Sequence, residues 1–153
     1  MGKYGFCCCI LFCITGFPVA SAGDGILVEC ERFERTGGWS VDSQFIDEMG
    51  SSYLLAHGLG SPVGDAVTHV EVAAGGFYNV FVRTKNWTAP WSAAAAGVFS
   101  VSVDGVELPG RLGTEGGGAW VWQKAGGIGL KPGRHKLSLK DMTGFDGRAD
   151  AVY

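Results

Sequence analysis

Between residues 75 and 84 apolar and polar positions alternate with a period of two. Two glycines open the run. Tyr78, Val80 and Val82 then share one face, and Phe77, Asn79, Phe81 and Arg83 share the other, the pattern of a half-buried strand. This stretch predicts a central strand that forms the spine of a sheet. Directly after it, Lys85-Asn86-Trp87-Thr88-Ala89-Pro90-Trp91 abandons the alternation with two tryptophans and a proline. A strand that ends this way delivers a stiff aromatic loop to one end of its sheet.

The same reading extends to the rest of the chain. Residues 26–33 predict an opening strand, with Ile26, Val28 and Cys30 on one face and Leu27, Glu29, Glu31 and Phe33 on the other. Thr36-Gly37-Gly38 is a turn, residues 39–42 start a further strand, and the polar stretch 43–52 reads as either a short helix or an ordered loop. Residues 53–56 and 67–72 predict strands on either side of a glycine and proline loop at 57–62. Beyond an alanine-rich loop at 91–97, residues 98–103 and 106–108 form a hairpin around Asp104-Gly105. Gly113 to Gly118 is another loop. Residues 120–124 predict a strand carrying Trp120 and Trp122 on one face, 130–134 a turn, and 135–141 and 149–152 two more strands. The last of these ends abruptly at Tyr153, as a fragment of a longer protein would. Eight or nine short strands with glycine-rich turns and almost no helical period predict an all-β fold, an antiparallel β-sandwich of the jelly-roll kind.

The N-terminus changes the picture of what matures. Lys3, the uncharged apolar run 4–18 and Ala20-Ser21-Ala22 have the layout of an export signal cleaved after Ala22. This predicts a secreted, periplasmic or extracellular protein with no permanent membrane span, and a single domain over 23–153, about 130 residues, enough for one core. A lipid anchor fits less well, because Cys7, Cys8, Cys9 and Cys13 lack the small preceding residue such anchors use. Cleavage leaves Cys30 alone, so the mature domain has no internal disulfide and Cys30 reads as a buried thiol. A net charge of −3 argues against nucleic acid as the main partner.

Catalytic motifs are sparse. No G-x-S-x-G elbow is present, and Gly58-Leu59-Gly60-Ser61-Pro62-Val63-Gly64 lacks the strand-to-helix context of a dinucleotide loop, so the chain carries no flavin site. His57, His69 and His135 have no metal-ligand spacing; His57, in the glycine loop, is a candidate polar contact for a ligand. Glu29 and Glu31, about 7 Å apart at Cα on one strand, have the residue type for glycoside hydrolysis, but the opening strand of a jelly roll faces no cleft. Tryptophan carries the remaining chemistry, because indole faces stack on the C–H faces of sugars and also fill cores. Trp39, and whichever of Trp120 and Trp122 faces inward, read as packing. Trp87 and Trp91 are candidates for a sugar platform or for a surface packed on a neighbouring domain, with Trp120 and Trp122 as further contacts. Asn86-Trp87-Thr88 is also a glycosylation sequon.

Several of these segments resemble known modules. Residues Val28-Glu29-Cys30-Glu31-Arg32-Phe33 resemble the Glu-Ala-Glu opening strand of carbohydrate-binding modules with the galactose-binding-like jelly roll. Gly76-Phe77-Tyr78-Asn79-Val80-Phe81-Val82-Arg83 is similar to their Gly-x-Tyr-x-Val-x-Val-Arg strand, and Ala149-Asp150-Ala151-Val152 to their closing Asp-x-Val strand. Gly37-Gly38-Trp39, Gln44-Phe45, Met49-Gly50-Ser51, Tyr53-Leu54-Leu55-Ala56-His57-Gly58 and Trp87-Thr88-Ala89-Pro90-Trp91 resemble the golvesin/Xly-type carbohydrate-binding-like domain. That domain accompanies secreted bacterial FAD-dependent oxidoreductases and polysaccharide-degrading enzymes. The resemblance, over nearly all of 26–153, implies a non-catalytic accessory domain that binds carbohydrate or docks a neighbouring catalytic domain. Its alternative is the N-terminal structural domain of an FAD-dependent oxidoreductase whose flavin domain lies outside this chain. It also implies a calcium ion held by Glu29, Glu31 and Asp150 with carbonyls near 43–48; without the ion these are solvated strand carboxylates.

Overall fold

A computed structural model describes residues 25–153; the export signal expected over 1–22 lies outside the described residues. Among the described residues ten strands form two antiparallel sheets. The first sheet contains β1 (Val28–Glu29), β2 (Ser40–Asp42), β3 (Tyr53–His57), β5 (Gly76–Lys85), β8 (Trp120–Leu130) and β10 (Phe145–Val152), with the order β2-β3-β10-β5-β8 and β1 paired to β10. The second contains β4 (Ala66–Val72), β6 (Phe99–Val103), β7 (Val106–Glu107) and β9 (Gly133–Asp141), in the order β4-β9-β6-β7. The all-β sandwich read from the alternation is therefore present.

The alternation also decides what each sheet buries. Leu54 and Ala56 of β3, Val80 and Val82 of β5, and Ala149 and Val152 of β10 point inward onto Phe99, Val101, Leu137 and Leu139 of the second sheet. Trp39 closes this core edge-on against Phe99, with ring centroids 5.5 Å apart. Each fully buried aliphatic side chain contributes roughly 1.5–3 kcal/mol of transfer free energy. The Asp104-Gly105 hairpin forms as expected, with φ of 50° and 81°, the left-handed geometry of the tight turn between β6 and β7. The 43–52 stretch holds a single helical turn, α1 (Ile46–Met49), which lies over the outer face of the first sheet's β3 side through Phe45.

Two expectations are corrected. The 75–84 run does form β5, but the middle of its sheet is β10, the strand that looked truncated; residues 147–152 are all buried there. Sequence alternation cannot rank strands by position. The opening strand is also much shorter than 26–33. β1 ends at Glu29, and Cys30–Arg32 form a 3-10 turn closed by Phe33 N–H donating to the Cys30 carbonyl at 3.1 Å. The turn rotates Phe33 into the core, so Glu29 and Glu31 do not share a strand face. Burying the phenyl ring is the physical gain that an extended strand would forfeit. Cys30 is a fully buried free thiol, pushed well above its ordinary pKa by burial and then by the nearby charges of Asp150, Glu31 and Glu29. It stays protonated and inert.

Each of the three histidines contacts a carboxylate, and His135 generates a pH prediction. Its Nδ1 lies 2.6 Å from Asp104 Oδ2 and its Nε2 2.8 Å from the Lys131 carbonyl, and these two contacts raise its pKa above 6.5. A raised histidine pKa stabilises the fold fully below the unfolded value, and this contribution is lost as pH rises through the folded value. The melting temperature should therefore fall across neutral to mildly alkaline pH in the wild type. Calorimetry of His135→Gln in parallel should show a flatter profile there; superimposable profiles would exclude the contribution.

Candidate functional site

The outer face of the first sheet gathers the unusual side chains. On β5, Arg83 and Lys85 point outward while Val82 and Thr84 point in, and on the adjacent β8 the outward positions are Trp120 and Trp122. Register pairs Lys85 with Trp120 and Arg83 with Trp122, so a cation stands beside an indole twice in succession. On β10 the outward residues include Arg148 and, at a β-bulge between Ala149 and Ala151, Asp150. Asp150 is 2% exposed; it accepts from Ser51 Oγ at 2.9 Å and from Arg83 Nη1 at 3.1 Å.

At the end of the sheet nearest the tryptophan loop lies a cleft of about 450 Å³ between Phe45, Lys85, Trp87, Trp91 and Arg148. Trp91 is 70% exposed, and its ring meets that of Trp87 edge to face at 6.0 Å and 68°. The loop is held by its own polar residues. Asn86 is buried; its Nδ2 donates to the Thr114 carbonyl at 3.3 Å and its Oδ1 accepts from Thr88 Oγ at 3.1 Å. The sequon side chain is thus a clamp. Thr88 Oγ also accepts from Ala96 N–H, and Trp87 Nε1 donates to the Phe145 carbonyl at 3.1 Å. Buried Gln123 fixes the facing glycine loop, accepting from the Gly113 and Thr114 amides at 2.8 and 3.2 Å. Two indoles presented by a loop pinned on both sides form a stiff, apolar surface.

The cleft's floor is polar. Arg148 places its guanidinium 5.2 Å from the Trp87 ring and 5.9 Å from Phe45. Lys85 Nζ lies 4.1 Å over Phe45 and 3.5 Å from Glu48 Oε2. Behind Phe45, Tyr53 is fully buried and donates to Asp42 Oδ2 at 2.6 Å. Burial and that hydrogen bond push its hydroxyl up to about 12, with Arg148 offsetting part of the rise.

Of the residues singled out in the sequence, Trp87 and Trp91 line this cleft and His57 does not. His57 ends β3 opposite Phe145, exposed, with Nδ1 on Asp146. Trp120 is half-buried under Phe45 and Tyr53, at 5.9 and 5.0 Å between ring centroids. Trp122 is 47% exposed, rests on Tyr153, and faces a separate cleft of about 300 Å³ with Glu29, Arg83 and Asp150. Neither Trp120 nor Trp122 faces the core. The carboxylates Glu29, Glu31 and Asp150 do approach one another: burial, then Glu31, then Asp150 raise the Glu29 pKa. Yet among the described residues no group of three or more His, Cys, Asp or Glu side chains is arranged around a metal position. Lys85, Phe45 and Arg148 were missed as site residues. The available signal was Arg148 itself, a cation in step with Asp150 on a strand whose remaining residues from 147 to 152 are small and apolar.

No protein-family model matches the chain, and no curated protein sequence does either. Solved structures do match. A family 35 carbohydrate-binding module from Clostridium thermocellum superposes with a TM-score of 0.63 at 18% identity, over 84% of this chain and 96% of that one. One from Paenibacillus barcinonensis gives 0.64 at 15% identity, over 84% and 97%. The C-terminal CBM6 of a marine laminarinase from Zobellia galactanivorans gives 0.60 at 15%, over 83% and 95%. The chain spans only 18% of a cycloisomaltooligosaccharide glucanotransferase from a Paenibacillus species and 26% of a β-(1,4)-mannanase from Podospora anserina, which it also matches. At these identities the likeness establishes the fold, an antiparallel β-sandwich of the kind used by carbohydrate-binding modules.

Proposed function

We propose that this protein is a secreted, non-catalytic carbohydrate-binding module and that its ligand site is the cleft between the Trp87–Trp91 loop and Lys85 and Arg148. The observation that carries this reading is Trp91, 70% exposed on a loop that Asn86, Thr88 and Gln123 hold from beneath. An exposed indole on a stiff loop at the rim of a cleft suits a sugar's C–H face, while the cations beside it suit the hydroxyls. The structural likeness to carbohydrate-binding modules supports the same reading. Attachment to a larger extracellular enzyme, whether a polysaccharide-degrading enzyme or an FAD-dependent oxidoreductase, belongs to this proposal too, as does export through the signal at 1–22.

A glycan array with the purified protein, followed by calorimetric titration of its best ligand, tests it. Trp91→Ala should cost ~1–3 kcal/mol of affinity, roughly 5- to 150-fold in Kd, and leave the melting temperature nearly unchanged. Absence of any glycan signal, together with self-association of the wild type that Trp91→Ala abolishes, would instead make the loop a surface for docking a neighbouring domain.

The calcium reading rests on one observation in this fold. Glu31 Oε2 is buried with no hydrogen-bond partner, close enough to Glu29 and Asp150 for all three charges to act on Cys30. A hard divalent cation would satisfy that oxygen and relieve the repulsion on Glu29. Arg83 already pairs with Asp150 Oδ2 and Ser51 donates to its Oδ1, so a cation would share that carboxylate with them. With calcium about 100-fold above its Kd, the melting temperature should rise by roughly 5–10 °C, from ~2.7 kcal/mol of linkage. Identical transitions with calcium and with chelator, in wild type and Glu31→Gln alike, would reduce the cluster to ordinary carboxylates.

A further inference from the structure

The acceptor of an Asn-x-Thr sequon belongs on a surface loop, where a transferase can reach its amide. Here Asn86 and Thr88 are each 6% exposed. Their polar atoms are all engaged inside the fold. Asn86 Nδ2 donates to the Thr114 carbonyl at 3.3 Å. The Thr88 hydroxyl lies 3.1 Å from Asn86 Oδ1 and 3.0 Å from the Ala94 carbonyl, and it accepts from Ala96 N–H at 3.3 Å. Thr114 is held in turn by buried Gln123, whose Oε1 accepts from its N–H and whose Nε2 donates to its hydroxyl, both at 3.2 Å. Between the two sequon positions, Trp87 hangs by Nε1 on the Phe145 carbonyl at 3.1 Å. The backbone then winds back on itself: Ala89 N–H donates to the Asn86 carbonyl at 3.3 Å, and Trp91 and Ser92 N–H to that of Thr88 at 3.0 and 2.8 Å. The sequon is therefore the latch that ties the aromatic loop to the loop facing it.

We propose that Asn86 is an N-glycosylation acceptor in the unfolded chain only, and that attachment there and closure of the aromatic loop exclude each other. In the transfer, Asn86 Nδ2 forms a C–N bond to the anomeric carbon of an oligosaccharide carried on a lipid pyrophosphate. The bond from that carbon to the pyrophosphate oxygen breaks, the lipid pyrophosphate leaves with the electron pair, and one amide proton passes to a base of the transferase. The new bond is made by the atom that donates to Thr114. Once the loop has closed, that atom is shielded from the transferase. If the sugar arrives first, its ring needs the space between the two loops, and the latch cannot close around it. The Thr114 carbonyl then lacks its donor, and Trp87 loses the support of its neighbour on the chain. The order of folding and transfer thus decides whether Trp87 and Trp91 are presented. None of this depends on what the indoles bind.

Presenting the same chain to one transferase before and after folding tests this. Residues 23–153, behind an export signal that microsomes accept, are translated with microsomes present. Separately, the folded protein, purified from a host without the transferase, is added to detergent-solubilised microsomes, which supply the enzyme and its lipid-linked donor. Mass spectrometry of the peptide containing Asn86, before and after glycosidase, reads the occupancy, and Asn86→Gln gives the blank. Occupancy should be at least about tenfold higher in the nascent chain, because the folded loop exposes Asn86 only by local opening. Equal occupancy, or none in the nascent chain, overturns the proposal. The modified chain is then isolated on a lectin column and its indole N–H resonances are compared with those of the unmodified protein. That of Trp87 should shift and exchange with solvent at least about tenfold faster. A Trp87 resonance superimposable on that of the unmodified protein would show the loop closed around the sugar and overturn the exclusion.

Discussion

Two opposite charges buried on the same outer face of the middle strand govern the architecture of the larger sheet. Arg148 and Asp150 stand on either side of Ala149, and the bulge at Asp150 turns its carboxylate toward Arg83 and Ser51. A bare strand would leave both in contact with water. Here they are 6% and 2% exposed, because the 43–52 connection folds over the sheet and sets Phe45 and Ser51 against them. Asp150 is satisfied by this cover. Arg148 is held differently, by its Nη1 on the Asp146 carbonyl and between the rings of Trp87 and Phe45, with Nε left without a hydrogen-bond partner.

The aromatic loop depends on the same strand. Trp87 hangs by its Nε1 on the carbonyl of Phe145, the first residue of β10, and its ring covers Arg148. Asp141, buried at the end of β9, steadies the turn into that strand by accepting from the amides of Val63, Thr143 and Gly144 at 2.9, 3.1 and 3.1 Å. The indoles are therefore positioned by rigid elements on three sides, and Trp91 alone is left open. Rigid placement lowers the ordering entropy that a flexible aromatic loop would lose on binding.

Much of this fold was legible in the alternation of the chain, because a sheet face is a local, period-two property. Val80, Val82, Leu54, Val101, Leu137 and Leu139 were marked as strand residues by their neighbours alone, and all are core. Strand order was not legible: nothing local to Phe145–Val152 says that it pairs with both β3 and β5. The 3-10 turn at Cys30–Arg32 was hidden for a related reason, since Phe33 gains from entering a core made by distant strands. At the site, Trp87 and Trp91 announced themselves through Pro90 and the broken alternation. Lys85 and Arg148 did not, because a strand cation reads as solvated until the 43–52 connection is seen to cover it.

Nitrogen-15 NMR of the five tryptophan indoles, followed while the glycan selected on an array is added, tests the placement of the binding face most directly. The Nε1 resonances of Trp87 and Trp91 should move progressively and saturate together, while that of Trp39, buried at 3% exposure in the core, stays still. Saturable shifts at Trp122 with Trp87 and Trp91 unmoved would place the ligand in the other cleft and contradict the account.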